Sequence, residues 1–159
     1  MRWLFAVLYL ACLSLFPLRL RRRHALRLRQ MEEFLSLLTR IRREIACFSR
    51  PLPEIVGSAD LPALAAAGFF TEHNGGDPLV SYLSASPALL LPPEAAELLG
   101  SFFAAAGGAM KSEELGACDH AIARLSELLT LEKTEGANRL RLHSTLILCG
   151  GLLFLLLVV

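Results

Sequence analysis

Residues 31–48 read MEEFLSLLTRIRREIACF. Met31, Leu38 and Ile45 recur every seven positions, and Phe34, Ile41 and Phe48 repeat that interval three residues on. Seven residues make close to two helical turns, so the repeat lays one apolar seam along a helix. Arg40, Arg42, Arg43 and Glu44 fall off the seam. It spans under three heptads, too short for a free coiled coil, and predicts a contact inside a bundle. A second seam mirrors it near the other end, with Leu115, Ile122 and Leu129 at one position and Cys118 and Leu125 at the other. No segment shows the two-residue period of a strand. The two seams predict an all-α fold, a small antiparallel helical bundle whose first and last long helices pack together.

Between the seams the chain is punctuated by proline and glycine. Ser49-Arg50-Pro51-Leu52-Pro53-Glu54 breaks the first helix, because Pro51 cannot continue it while prolines suit the first turn of the next. Ser49 is the expected cap of a short helix over Leu52 to Val56. Leu61 to Ala67 predicts another. Asn74-Gly75-Gly76 is a turn signal, and Asp77-Pro78 caps and opens a helix through Leu83. Ser84 to Leu91 reads as loose and apolar. Pro92-Pro93-Glu94 opens a helix to about Ala105, with Leu98, Leu99, Phe102 and Phe103 on its buried face, and Gly107-Gly108 ends it. Ser112-Glu113-Glu114 starts the last helix with acids where its dipole favours them. That helix can run on through Glu132 to Arg141 as one element, although Gly116 and Gly136 weaken the expectation.

Beyond the seams lie two apolar runs, Trp3 to Leu18 and Ser144 to Val159. Arginine crowds the inner border of each: Arg19, Arg21, Arg22, Arg23, Arg27 and Arg29 on one side, Arg139 and Arg141 on the other. Cytoplasmic flanks of membrane spans favour Lys and Arg, so both borders point to the same side. Each run is 16 residues, roughly 24 Å of helix against a hydrocarbon core of about 30 Å. Snorkelling of Arg2 and Arg19 and local thinning of the bilayer make up the deficit. No small-residue cleavage site follows the first run, and the arginines act as a stop, so it reads as a retained anchor and not a signal peptide. The expected organisation is therefore an N-terminal transmembrane anchor over 1–18, a cytoplasmic helical domain over 19–143 and a C-terminal transmembrane helix over 144–159.

The net charge of +1 conceals a division. Residues 1–50 hold 11 Arg against Glu32, Glu33 and Glu44, while residues 51–159 hold 5 Lys or Arg against 12 acids. A basic head beside a span and an acidic body suit a membrane protein, and no nucleic-acid module accompanies the arginines. Those eight border arginines serve as a topology signal or as a site for anionic lipid.

The sequence assembles no recognisable catalytic or metal motif. Cys12, Cys47, Cys118 and Cys149 form no Cys-x-x-Cys pair and read as small hydrophobes. His24, His73, His120 and His143 have no metal-ligand spacing. Gly107 to Ser112 resembles the end of a phosphate loop, but Met110 stands where glycine must precede the lysine. Glu32-Glu33 and Glu113-Glu114 read as solvated helix charges. Glu44, between Arg43 and the seam residue Ile45 and just before the proline break, stands out as a surface ion pair or a contact to a partner or the last helix. Neither enzymatic activity nor a cofactor is expected.

With these features in place, the chain resembles the stage III sporulation protein AB family. The N-terminal anchor, the basic exit, the helix from Arg29-Gln30 to Glu44-Ile45 and the break Pro51-Leu52-Pro53-Glu54 carry the resemblance. So do the Gly107 turn and the last helix running into Gly150-Gly151 and a leucine-rich tail. The resemblance implies a subunit of the channel complex joining mother cell and forespore, similar to the inner-membrane platform protein of type II secretion. It implies a non-catalytic platform in the mother-cell membrane facing the forespore, with the bundle in the cytoplasm and both termini outside. Its expected partners are the companion stage III ATPase (protein AA), other stage III membrane proteins and membrane lipids, with no nucleic acid and with self-association left open. Arg43, Glu44, Pro51, Leu52, Pro53 and Glu54 are the candidate partner surface. The reading from a different class is a membrane-anchored lipid sensor or envelope adaptor, which would require the arginines to discriminate lipids.

Overall fold

The computed structural model describes the backbone of residues 2–48, 51–70, 77–106 and 111–158. In the two long helices it describes the side chains of residues 18–48, 111–136, 138, 142, 145, 146, 149 and 150. Six α-helices follow in order: α1 (Arg2–Phe48), α2 (Leu52–Gly57), α3 (Pro62–Ala66), α4 (Pro78–Ala85), α5 (Pro93–Ala105) and α6 (Lys111–Val158), with a 3-10 turn at Ser86–Ala88. The described residues form an all-helical bundle without strands. The chain divides into two compact units, Leu26–Thr130 and the pair Met1–Ala25 with Leu131–Val159.

In the unit Leu26–Thr130 the seams do what their spacing demands. Met31, Phe34, Leu38, Ile41 and Ile45 of α1 are buried together with Cys118, Leu125 and Leu129 of α6. The two segments run antiparallel: Arg42 pairs with Asp119, and Lys111, at the start of α6, donates from Nζ to the Ala46 carbonyl at 3.1 Å. A lysine at the last carbonyls of α1 suits the negative end of that helix. Phe34 sits at the centre. Phe69 meets it edge-on at 5.5 Å, and Tyr82 and Phe103 close in at 6.3 and 6.5 Å. Such pairs add stabilisation beyond the area they bury. Burial raises the pKa of the Tyr82 phenol, whose hydroxyl donates to the Ala96 carbonyl at 2.6 Å. Gly100 faces the Tyr82 ring, so α4 and α5 approach closely there.

The short helices start by different means. Asp77 accepts from the Leu79 N–H ahead of Pro78, the expected cap of α4. The helix then runs two residues past the predicted Leu83, and the stretch read as loose contains the 3-10 turn. At α2 the cap position is Pro51, with no side-chain bond; Ser49, expected there, lies outside the described residues. Helix α3 ends in a Schellman motif: Gly68 takes φ 85°, and Phe69 N–H reaches back to Leu64 O at 3.0 Å. Glycine tolerates that left-handed backbone and so delivers Phe69 to the core. The turns at 74–76 and 107–108 lie outside the described residues.

In the other unit, the two terminal stretches meet at a notch. The His24 ring lies on Gly136, where an added Cβ would come within 2.3 Å of the imidazole Cε1. His24 Nδ1 is 3.7 Å from a Glu132 carboxylate oxygen, one turn before the glycine.

The structure does not show the transmembrane helices expected at the two ends. Both apolar runs, the second as far as Val158, have helical backbone, as parts of α1 and α6. Among the described residues, however, no helix is long and apolar enough to cross a membrane, and most side chains of the two runs lie outside those residues.

Candidate partner surface

The α1–α2 corner consists of the end of α1 and the start of α2. Arg43 and Glu44 lie in the last two turns of α1, and Pro51, Leu52, Pro53 and Glu54 open α2, while residues 49 and 50 between them lie outside the described residues. Arg43, Pro51, Pro53 and Glu54 are exposed; Glu44 and Leu52 are half-buried. Helix α2 is fastened beneath them. Ile55 and Val56 enter the core, and Leu52 packs against it. Arg40 of α1 donates from Nη2 to the Ser58 hydroxyl at 3.0 Å, and that hydroxyl donates to the Ile55 carbonyl at 3.1 Å. On the α6 side, Asp119 receives both Nε and Nη2 of Arg42. This hydrogen bond, and then the charge of Asp119, raises the Arg42 pKa. Burial, with Glu114 and Asp119 adding to it, pushes the neighbouring Cys118 thiol up to about 11. The thiol therefore stays neutral at physiological pH and is a core group, as its type suggested.

One correction enlarges the surface. The seam placed Phe48 in the core, yet it is 64% exposed, while Ile45, three residues before, is buried. The apolar repeat outruns the bundle by one turn, and the last seam position lies on the same corner as Cys47, also exposed.

A second correction concerns Glu33. It was expected to be a solvated charge, but its side chain is only 11% exposed. Its carboxylate accepts from the backbone N–H groups of Ala63 at 2.9 and 3.0 Å and of Leu64 at 2.9 Å. These are the first free donors of α3, and a carboxylate suits the positive end of a helix. Gln30, also missed, is buried and accepts the Leu90 N–H at 2.8 Å. Both residues lie one turn apart along the α1 face that meets the connecting segments. The signal was present in Pro62, which opens a helix without a polar cap of its own, but nothing local names its distant partner.

The arginines divide by surroundings. Arg19, Arg21, Arg22, Arg23 and Arg29 are exposed and Arg27 is half-buried. Arg29 lies 3.5 Å from Glu33, one turn on. The side chains of Arg139 and Arg141 lie outside the described residues, as do those of Cys12, His73 and His143. Among the described residues, no cluster of His, Cys, Asp or Glu could hold a metal ion.

Compared with known proteins, the chain matches the family model described as stage III sporulation protein AB over residues 2–73. That stretch contains all of α1, α2 and α3, and with them the corner and the Glu33 cap. No curated protein and no solved structure matches the chain. Over residues 2–73, just under half of its length, the chain is therefore similar to the stage III sporulation protein AB family, a likeness that supports a role in stage III of sporulation.

Proposed function

We propose that this protein is a non-catalytic membrane platform subunit of the channel complex between mother cell and forespore. It couples the companion stage III ATPase on the cytoplasmic face to other membrane components. The terminal apolar runs anchor it in the mother-cell membrane with both termini outside, and the unit Leu26–Thr130 is the cytoplasmic working part. The observation that carries this reading is the exposed α1–α2 corner within the family match. Phe48, Pro51 and Pro53 offer apolar contact, and Arg43 and Glu54 offer charges of both signs. Aromatic anchors ringed by polar groups are the usual centres of binding energy. The bonds from Arg40, Arg42 and Lys111 hold the corner in one shape, which lowers the ordering cost of docking.

The test is co-purification of the ATPase with the full chain from solubilised membranes. The unaltered chain is expected to bring the ATPase down. Glu44→Ala combined with Glu54→Ala is expected to cut recovery roughly tenfold, the effect of about 1.4 kcal/mol. Unchanged recovery would exclude this corner. No recovery with the unaltered chain would exclude the coupling itself.

A further inference from the structure

Charge also divides between the two units of the fold. Residues 1–25 with 131–159 hold eight Lys or Arg against Glu132 and Glu135, a net +6. Residues 26–130 hold eight against thirteen acids, a net −5, and the two values recover the +1 of the chain. The excess positive charge thus belongs to the unit that contains both apolar runs. Its densest part is Arg19 to Arg23, at the inner end of the first run. Successive helical residues are offset by about 100°, so these four arginines point to several sides of α1. All four are exposed. The sheltered positions of this stretch are Leu20, half-buried, and His24, seated on Gly136. Of the two acids in the unit, Glu132 is directed at His24. Among the described residues, no ion pair engages Arg19, Arg21, Arg22 or Arg23.

We infer that Arg19, Arg21, Arg22 and Arg23 form a collar that binds the anionic headgroups of the membrane leaflet beside α1. The inference rests on the anchoring proposed above and adds a lipid requirement to it. Four guanidinium groups within five residues present a charge that no described residue neutralises through an ion pair. Guanidinium also matches phosphate geometry with two parallel hydrogen bonds. The apolar run ends directly at Arg19, so the collar falls at headgroup level, where a basic residue is attracted by about 1 kcal/mol. A membrane surface fits the collar better than an acidic protein because the charges point to several sides of one helix. A docked protein would need them on one face.

The experiment reconstitutes the full chain in phosphatidylcholine vesicles doped with spin-labelled phosphatidylglycerol or spin-labelled phosphatidylcholine, and reads the motionally restricted fraction of each. The unaltered chain should prefer the anionic lipid roughly fivefold, the ratio equivalent to one such contact, and 1 M salt should weaken the preference. Replacing all four with glutamine should abolish it, while replacing all four with lysine should retain it; circular dichroism checks that both variants remain helical. If the glutamine variant loses its helix, the lysine variant and the salt dependence still decide. Equal restriction of both lipids by the unaltered chain overturns the collar and leaves the anchoring intact. No restricted lipid of either kind overturns the anchoring first. Unchanged selectivity with loss of ATPase recovery in the glutamine variant assigns the collar to an acidic protein and overturns the inference.

Discussion

The two units solve the burial problem in opposite ways. Leu26–Thr130 covers its apolar residues with its own helices: Phe34, Phe69, Tyr82 and Phe103 enclose one another, and Glu33 and Gln30 of α1 tie down the backbone at Leu64 and Leu90. Among the described residues, the other unit has two helical stretches without such a layer around them. Leu18, Leu142 and Leu146 are each more than half exposed, and its charge is answered by almost no acid of its own. Exposed apolar and basic groups side by side call for an apolar and anionic surrounding. One unit carries its solvent-excluding environment inside, while the other takes it from a membrane in the function proposed above.

The comparison breaks first at Phe34. If the unit Leu26–Thr130 is held by its own core, Phe34→Ala should cost about 3–5 kcal/mol, because three aromatic rings, Phe69, Tyr82 and Phe103, lose their common neighbour. Urea denaturation of the purified full chain, followed by circular dichroism, reads this as a lower midpoint. A loss below about 1 kcal/mol would mean that the aromatic cluster is not the centre of stability.

Gly136 sharpens the other side. A methyl group there would meet the His24 ring at 2.3 Å, an overlap of the kind that costs about 1–3 kcal/mol. The same replacement gains up to about 1 kcal/mol of helix propensity. Gly136→Ala should therefore destabilise the protein when His24 is present and stabilise it in a His24→Ala background. The reversal of sign, measured as a double-mutant cycle of thermal midpoints, is the specific outcome. Additive effects would show that the two helical stretches do not meet at this notch.

The sequence declares some of these features and hides others, and the reason is range. Periodicity is local, so Met31, Leu38 and Ile45 announce a buried stripe, and Cys118 and Leu125 announce its partner. Proline punctuation is local too, and Pro53, Pro62, Pro78 and Pro93 all stand in the first turn of a helix. Phe48 misleads because a repeat cannot state where its covering layer stops. Glu33, His24 and Gly136 act across 30 residues or more, through geometry that no spacing rule contains. The candidate corner was legible as a break in the pattern, whereas the bonds that hold it to α1 and α6 were not.

Glu33 and Glu32 offer the finest test of that lesson, because they are neighbours in sequence and opposites in surroundings. Glu33 supplies to α3 the cap that Leu61 cannot, since leucine has no acceptor to offer Ala63 and Leu64. Removing a cap of this kind costs about 1 kcal/mol and up to about 2. Glu33→Gln should lose part of it, because an amide keeps one acceptor oxygen but not the charge at the helix start. Glu33→Ala should lose all of it and free α3, seen as faster hydrogen exchange at the Ala63 and Leu64 amides. Glu32→Ala, on an exposed position, should stay within about 0.5 kcal/mol of the unaltered chain. Equal effects at the two positions would mean that the carboxylate at 33 is a surface charge after all. α3 would then be held by Leu64 and Phe69 alone, and the polar ties that distinguish this unit would be incidental to its stability.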